Sequence, residues 1–270
     1  MKVILSRKGF DSSNGGIPSP ILPDGTLLSF PIPACSDELT FDELYYEEIP
    51  YSQILEQLKG YDEKQNHFNC HLDPDIRADV CGKAIPNWSP AFGQIKLAQG
   101  LLRNKGVTTG DLFLYFGWFR QTEGNIVDGT LHFKYGAPDL NIIYGYLQIG
   151  DIMADSHVLM RKYPWHPHAS QHRVTDKTNM LYIPTKFLSF NDKYNCSGIF
   201  KFSEERVLTM EGKTRGTWKE VPALSPENMN GIYKNSSKTE GNYYAGIWQE
   251  KVLLENELSE DWAKKLFDSG

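Results

Sequence analysis

The sequence is poor in the features that mark secreted, membrane-spanning and duplex-binding proteins. Its four cysteines form no CxxC pair and show no framework spacing, which predicts reduced thiols and argues against a cysteine-bound structural zinc. No apolar run approaches the roughly 20 residues that span a bilayer. The N-terminus reaches charge at Arg7-Lys8 before a signal-peptide core can form. We therefore expect a cytoplasmic protein that does not bind membranes.

Internal repeats, low-complexity tracts and interdomain linkers are also missing, so we predict a single domain over residues 1–270. Within it we expect a phosphate-loop and helical part at 1–105, a β-rich core at 106–205 and a C-terminal part at 206–270 packed on that core. The composition, 40% hydrophobic and 13% aromatic, suffices for a sizeable core and excludes disorder as the main state.

Charge is unevenly distributed. The formal net charge of −6 argues against a broad basic face for a nucleic-acid duplex. Between Asp37 and Glu63, nine acids stand against one base, a local net charge of −8, and subtracting −8 from −6 leaves +2 for the rest of the chain. A compact basic site within an acidic shell would suit a nucleotide or a short single strand. Ordinary solvated acidic loops are the alternative.

Hydrophobic patterns place strands in the middle of the chain and helices towards its ends. We predict strands at Lys2–Ser6, Asp111–Phe119, Thr130–Tyr135, Asn141–Met153, Met180–Ile183 and Ile199–Phe202. Helices are expected over Tyr51–Lys59 and Ala91–Asn104, with a terminal helix capped by Ser259. This order predicts an α+β fold with a curved, mostly antiparallel sheet or a small PUA-like barrel flanked by helices. An unrelated β-rich core is the alternative.

The loop after the first predicted strand combines two cations, hydroxyls and glycines that permit positive φ. Such a loop can direct backbone N–H groups and side chains at an anion, although it matches neither a Walker motif nor a GxGxxG fingerprint. A rigid surface loop held by Ser and Asp turns is the alternative. The residues that we expect to bind phosphate are Ser6, Arg7, Lys8, Gly9, Ser12, Gly15, Gly16 and Ser19.

The segment His71-Leu72-Asp73-Pro74-Asp75-Ile76-Arg77 is the second candidate. His71 and Asp73 would point the same way on an extended backbone, which Pro74 favours. An imidazole beside a carboxylate can act as a general base or supply two metal ligands. Arg77 could pair with Asp75 or hold a phosphate, and an Asp-Pro turn with a structural ion pair is the alternative.

Four of the seven histidines fall between His157 and Arg173, in a segment without acids. His166 and His168 flank Pro167, so an extended backbone would aim both rings to one face. A metal there would need a carboxylate from Asp73, Asp75 or Asp11. We favour a positively biased wall for phosphate oxygens and assign no metal. Solvated loop residues are the further alternative.

Trp118 and Arg120 follow the aromatic strand, where an indole and a guanidinium could stack on a base. A tryptophan that fills the core is the alternative.

Taken together, these stretches resemble the third nucleotide modification associated domain family, found among bacterial and phage systems for altered nucleic-acid bases. The resemblance covers most of the chain. It is carried by Ser6 to Ser12 with Gly15-Gly16 and Pro18 to Ile21, His71 to Asp75, Gly93-Gln94, Gly110 to Arg120, and His166-Pro167-His168 followed by Asn179. It implies association with modified nucleotides, and with DNA modification or phage defence, but no settled reaction. Trp248 before Gln249-Glu250 departs from the glycine of similar sequences.

The leading hypothesis is an enzyme that modifies or processes a nucleotide or nucleic-acid base. In it the first loop holds phosphate, Trp118 stacks on the base, and the catalytic residues are His71 and Asp73, with Asp75 and Asp11 as further candidates. The rival is a non-catalytic reader of a modified nucleotide or nucleotide signal, and a structural partner in a modification complex is a third possibility. The expected partners are a nucleotide or a single-stranded or flipped base, with other proteins of a modification system. The sequence identifies no cofactor.

Overall fold

The two longest strands, β8 (Leu112–Glu123) and β10 (Leu140–Met153), lie side by side in a strongly curled sheet. The computed structural model describes residues 1–60, 62, 66–230, 232–234, 240–246 and 248–268. Glu63, the last acid of the predicted acidic stretch, lies outside the described residues.

The curled sheet also contains seven shorter strands. They are β1 (Val3–Arg7), β2 (Ser19–Ile21), β7 (Phe92–Gln94), β9 (His132–Phe133), β11 (Met180–Pro184), β14 (Ser197–Ile199) and β18 (Glu250–Val252). The order along its main path is β18-β1-β8-β10-β11-β7, with β2 and β9 also on β8 and β14 on β10. β1 and β2 run parallel to β8, and the other pairs are antiparallel.

Short ladders complete the strand set. They are β3 (Ile32–Pro33) with β6 (Cys70–His71), β4 (Tyr45–Tyr46) with β5 (Ile49–Pro50), β12 (Phe187–Leu188) with β13 (Asn191–Asn195), and β15 (Thr217–Trp218) with β17 (Asn242–Tyr244) and β16 (Ile232–Lys234).

The α-helices of the described chain are α1 (Tyr51–Lys59), α2 (Lys96–Asn104), α3 (Ser156–Lys162), α4 (Gln171–Val174) and α5 (Glu257–Lys265). Short 3₁₀ helices cover Phe41–Glu43, Pro167–Ala169, Glu204–Arg206 and Pro222–Leu224. None of the helices that the structure describes has the length and apolar character needed to cross a bilayer. All four cysteines are free.

The predicted α+β fold with a curved, mostly antiparallel sheet is confirmed. Helix α1 has the predicted bounds. The predicted helix over Ala91–Asn104 is wrong at its start, because Phe92–Gln94 is strand β7 and the helix begins at Lys96. Here pairing with β11 prevails over the helical spacing of the apolar residues.

Ser259 does not cap the terminal helix. Asn256 is the N-cap residue, and its Oδ1 accepts a hydrogen bond of 2.9 Å from the Ser259 backbone N–H. The hydroxyl of Ser259 is buried and accepts a bond of 2.8 Å from Asn228 Nδ2. Both residues have the side-chain chemistry of a cap, so the sequence alone did not separate them.

The two faces of the curled sheet have different neighbours. One face packs against the C-terminal part of the chain, in a core that joins Val3 and Leu5 to Trp218 and Phe267. The other face carries Ile4, Phe113 and Tyr115, in a core that includes Leu102 of α2. A third core encloses helix α1 and the loop after β1, with Phe10, Phe30 and Phe41 fully buried or nearly so. The loop after β1 is therefore anchored through Phe10 in this third core.

Candidate functional site

Lys8 directly follows β1 and is largely buried. Its backbone N–H donates to Phe116 O at 2.9 Å, which continues the parallel pairing of β1 with β8. The ammonium group lies 4.2 Å from the centre of the Phe92 ring, 3.6 Å from Glu250 Oε1 and 3.9 Å from Asp73 Oδ2. Lys8 thus joins carboxylates that are 65 and 242 residues away in sequence.

Glu250 enters this network because β18 pairs with β1 in a register that places it opposite Ser6. Its Oε1 accepts hydrogen bonds from Ser6 Oγ at 3.0 Å and Gln94 Nε2 at 2.7 Å. Burial raises the pKa of Glu250, and the nearby Lys8 opposes that rise. Ser6 therefore supports a buried carboxyl group and is not among the residues that line the cavity described below.

His71 lies at the end of β6 and is held by Asp37. His71 Nδ1 is 2.8 Å from Asp37 Oδ2, and Arg173 donates to both oxygens of the same carboxylate, with a distance of 3.1 Å from Nη2 to Oδ2. Burial would raise the pKa of Asp37, but the hydrogen bonds from His71 and Arg173 lower it to about 2. Because an ionised carboxylate only accepts, His71 donates from Nδ1 and its Nε2 faces the cavity.

The two oxygens of Asp73 face different groups. Oδ1 accepts the Gly93 backbone N–H at 2.6 Å and lies 3.5 Å from His166 Nε2. Oδ2 lies 3.8 Å from His71 Nε2 and 3.9 Å from Lys8 Nζ. Burial would raise the pKa of Asp73, yet the neighbouring His166 and Lys8 hold it well below its ordinary value. Asp73 is therefore a buried anion with one oxygen directed at His71.

His168 is fixed by Asn179. Asn179 Nδ2 donates to the His168 carbonyl at 2.9 Å, so its Oδ1 must be the atom that accepts from His168 Nδ1, at 2.6 Å. Burial lowers the pKa of His168 to about 3, and the ring is neutral near pH 7. A neutral ring that carries its proton on Nδ1 has a free lone pair on Nε2.

These side chains meet at a cavity of about 320 Å³. One potential ligand atom from each of His71, Asp73 and His168 lies within 4.8 Å of the other two. The other residues that line this cavity are Arg7, Lys8, Gly9, Asp11, Asn14, Ile32, Gln94, Ile95, Arg173 and Gln249. We call this the His–Asp cavity.

A second cavity of about 380 Å³ shares Arg7 and Asp11 with the first. Ser12, Trp118 and Arg215 are also in its wall, and we call it the Trp118 cavity. The Arg215 guanidinium lies 3.9 Å from the centre of the Trp118 ring and donates to Ser12 Oγ. Arg215, which the sequence did not suggest, thus takes the place beside the indole that was expected for Arg120.

Several predicted phosphate-binding residues have structural partners instead. Ser19 is buried and its Oγ accepts from the Phe30 N–H at 3.1 Å. Gly15 packs against the Phe10 ring, where a Cβ would come within 2.2 Å of ring carbons. Neither Gly15 nor Gly16 is among the residues that line the two cavities. Asp11 lines both, but its Oδ1 accepts three hydrogen bonds from Ser13 and Asn14 and holds the loop in a turn.

Asp75, Arg77 and Arg120 lie outside both cavities. Asp75 is buried, accepts from Trp88 Nε1 at 2.9 Å, and burial raises its pKa to about 6. Arg77 pairs with Asp79 at 2.7 Å and donates to the Tyr51 hydroxyl at 3.0 Å. Arg120 pairs with Asp139 at 2.7 Å. Asp75 and Arg77 share a separate cavity of about 40 Å³ with Asp73, whereas Arg120 lines neither the His–Asp cavity nor the Trp118 cavity.

The histidine-rich segment is divided by the fold. His157, Arg161 and Lys162 lie on the exposed side of α3, and His172 is also exposed. His166 and His168 are buried, and only His168 lines the His–Asp cavity. Arg173 is already paired with Asp37. The segment is therefore not one continuous basic wall.

Residue-based reasoning does not indicate Asp37, Asn179, Gln94 and Glu250, and it suggests Arg173 only as a cation of the histidine-rich segment. Asp37 lies in an acidic stretch, and no local pattern indicates that it holds an imidazole 34 residues away. Gln94 and Asn179 belong to the stretches that carry the family resemblance, which is the available signal, whereas Glu250 lies next to the point where the chain departs from it. The departure at Trp248 leaves Glu250 in place, within the buried network.

A buried carboxylate, two fixed imidazoles and an ammonium group at one cavity form the kind of titratable cluster that active sites concentrate. The model of the family described as nucleotide modification associated domain 3 matches residues 2–258 of the chain. The chain belongs to this family, whose name indicates a part in nucleotide modification systems. No curated protein and no solved structure matches it.

Proposed function

We propose that this protein is an enzyme that modifies or processes a nucleotide or a nucleic-acid base, with the His–Asp cavity as its active centre. The observation that carries the proposal is the position of Arg7 between the two cavities, beside His71, Asp73 and His168 in one of them. A phosphate at Arg7 would place the rest of a nucleotide within reach of the buried cluster.

Arg7 is the best candidate for the phosphate-binding residue because its charge is not already used. Lys8 and Arg173 are both paired with carboxylates, whereas no ion pair of Arg7 with a carboxylate occurs in the part of the chain that the structure describes. Burial and the positive charge of Arg7 lower the pKa of both Lys251 and Arg215. A guanidinium in such a setting binds phosphate oxygens well.

The chemistry would take place at His71 and Asp73 in the wall of the cavity. His71 and Asp73 face each other at 3.8 Å, and each is held in place by a buried partner. Fixed polar groups of this kind can orient a reacting group or move a proton without first having to reorganise. Asp75, whose carboxyl is bonded to Trp88, and Asp11, bonded within its own loop, have no part in this proposal.

Nucleotide binding can be tested by calorimetric titration with the nucleoside 5′-monophosphates. We expect Arg7→Gln to weaken binding about 10- to 100-fold, the loss of a charge-assisted hydrogen bond. Arg103→Gln, at an exposed position of α2, is the matched control and should bind as the unaltered protein does. Equal affinity of the Arg7→Gln and Arg103→Gln variants would contradict the placement of phosphate.

A reader of modified nucleotides is the second candidate, and one observation favours it. In the wall of the Trp118 cavity, the Arg215 guanidinium lies 3.9 Å from the centre of the Trp118 ring, and the two groups together offer a flat surface on which a base could stack. A reader needs a stacking surface and donors but no reactive groups. A reader would bind a nucleotide and release it chemically unchanged, and Trp118→Ala would weaken that binding.

A further inference from the structure

We propose that His71, Asp73 and His168 bind one divalent transition-metal ion in the wall of the His–Asp cavity. Two imidazole nitrogens and one carboxylate oxygen form a set that suits ions such as Zn²⁺, Fe²⁺ and Co²⁺ and leaves positions open for a water or a substrate. The inference needs neither Arg7 nor a nucleotide, so it stands apart from the proposed function.

The three ligand atoms are already selected by hydrogen bonding. Asp37 occupies His71 Nδ1 and Asn179 occupies His168 Nδ1, which leaves Nε2 of each ring for the ion. Metal-binding histidines commonly donate their other ring N–H to a carboxylate or a carbonyl in this way. One side chain of each kind is present here, and both are buried.

The carboxylate is selected in the same manner. Gly93 donates its N–H to Asp73 Oδ1 at 2.6 Å, and His166 Nε2 lies 3.5 Å from the same oxygen. The other oxygen, Oδ2, is 3.8 Å from His71 Nε2. Because zinc ligands lie about 2.0–2.2 Å from the ion, a small closing movement of the side chains would let both atoms reach one ion.

The carboxyl groups around the cavity outnumber the cations by one. Four carboxyl groups, Asp11, Asp37, Asp73 and Glu250, lie in its wall or are paired with it, against three cations, Arg7, Lys8 and Arg173. The sequence alone favoured phosphate at these histidines because no acid lies near them along the chain. The fold supplies that acid, since Asp73 lies beside His71 and His168.

Metal binding is tested by equilibrium dialysis of chelator-treated protein against micromolar Zn²⁺, with elemental analysis, and by Co²⁺ titration followed by visible absorption. We expect one ion per chain and a Co²⁺ spectrum typical of nitrogen and oxygen ligands. Asp73→Asn and His71→Ala should each weaken binding at least about 100-fold. Asp37→Asn, which leaves all three ligands in place, should weaken it about 10- to 100-fold.

His157→Ala removes an exposed histidine from the same histidine-rich segment and is the matched control, with unchanged binding expected. Circular dichroism establishes that each variant is folded. Asp73→Asn preserves the shape of the side chain, and His71→Ala is at a less buried position, so at least one informative variant should fold.

Two results would overturn the inference: no stoichiometric uptake of either ion, or uptake that Asp73→Asn and His71→Ala leave unchanged. Either could occur while nucleotides still bind at Arg7, and that would leave the proposed function intact. Conversely, metal binding in a protein that binds no nucleotide would support this site and contradict the proposed function.

Discussion

At the scale of single residues, Lys251 shows the cost of burying a charge that has no ion pair among the residues that the structure describes. Its side chain is fully buried, and Nζ donates to the Trp248 carbonyl at 3.2 Å and lies 5.1 Å from the Tyr244 ring. Burial and the nearby Arg7 lower the pKa of Lys251 to about 8. Its neighbour Glu250 belongs to the buried network with Lys8, so adjacent residues of one strand place opposite charges in different surroundings.

This shift makes stability depend on pH in a defined direction. Between pH 8 and the unperturbed value near 10.5, the unfolded chain binds more protons at Lys251 than the folded chain does. The contribution of this residue to the free energy of unfolding therefore rises with pH in that range. Below pH 8 the folded state carries the full cost of a buried ammonium.

We predict that Lys251→Met raises the free energy of unfolding at pH 7 by about 1–3 kcal/mol. The gain should shrink as the pH approaches 10.5, and urea unfolding at several pH values measures it. Lys213→Met, at an exposed position, is the control and should change stability little at any pH. A Lys251→Met variant that is less stable than the parent at pH 7 would show that the ammonium contributes a needed interaction.

Residue-level reasoning predicted part of the candidate site. Side-chain chemistry and local spacing indicate five residues that all line one cavity, namely Arg7, Lys8, His71, Asp73 and His168. The sequence does not indicate the groups that hold these side chains in place, because their contacts join distant parts of the chain. Glu250, for example, is 244 residues from Ser6, to which it is hydrogen bonded.

At the scale of secondary-structure elements, β7 explains why His168 and Asp73 meet. Gly93 in the middle of this strand donates its N–H to Asp73 and lies against the His168 ring. A Cβ at this position would come within 2.1 Å of His168 Cδ2. The absence of a side chain at Gly93 is therefore a requirement of the site.

We predict that Gly93→Ala displaces the His168 ring, lowers stability by about 1–3 kcal/mol, and weakens Co²⁺ binding. Thermal unfolding and the absorption titration measure these effects. Gly100→Ala, at a position in α2 where a Cβ would meet nothing within 4 Å, is the matched control and should stabilise the protein by up to about 1 kcal/mol. Unchanged Co²⁺ binding in folded Gly93→Ala would contradict this account of His168.

The terminal helix gives a second test at this scale. Because Asn256 Oδ1 accepts the Ser259 N–H at 2.9 Å, Asn256→Ala should lower the free energy of unfolding by about 0.5–2 kcal/mol. Asp261→Ala changes an exposed position of the same helix and should have little effect. Equal stabilities of these two variants in urea would show that the cap contributes nothing to the fold.

Elements were easier to predict from the sequence where their pattern is long. The aromatic run before Phe119 and the apolar run from Asn141 identified the two longest strands, because buried central strands need continuous apolar side chains. Strand β7 was missed because three residues carry too little pattern, and its pairing with β11 depends on the fold of the whole sheet.

At the scale of the whole molecule, the sheet draws strands from all three segments that the sequence suggested. β1 comes from the first, β8 and β10 from the second and β18 from the third, and β1 lies between β8 and β18. The main core joins Leu5 and Leu114 to Trp218 and Phe267. We therefore expect the three segments to fold together.

A chain that ends at residue 205 should accordingly fail to form a stable native state. It would lose β18 beside β1 and the buried Trp218, Leu253 and Phe267, exposing a large apolar surface. Near-UV circular dichroism and urea unfolding would show no cooperative transition. A sharp transition with native-like aromatic signals would instead indicate an independent unit within residues 1–205.

The most direct test of the proposed enzyme is whether a nucleotide leaves the protein chemically changed. The protein, supplied with Zn²⁺, Fe²⁺ or Co²⁺, is incubated with nucleoside mono- and triphosphates and a short single-stranded oligonucleotide, and the products are identified by mass spectrometry. We predict conversion of at least one substrate, reduced at least about 100-fold by Asp73→Asn and unaffected by the exposed control Asp151→Asn. Nucleotides that bind at Arg7 but are all recovered unaltered would contradict the enzyme and establish a reader.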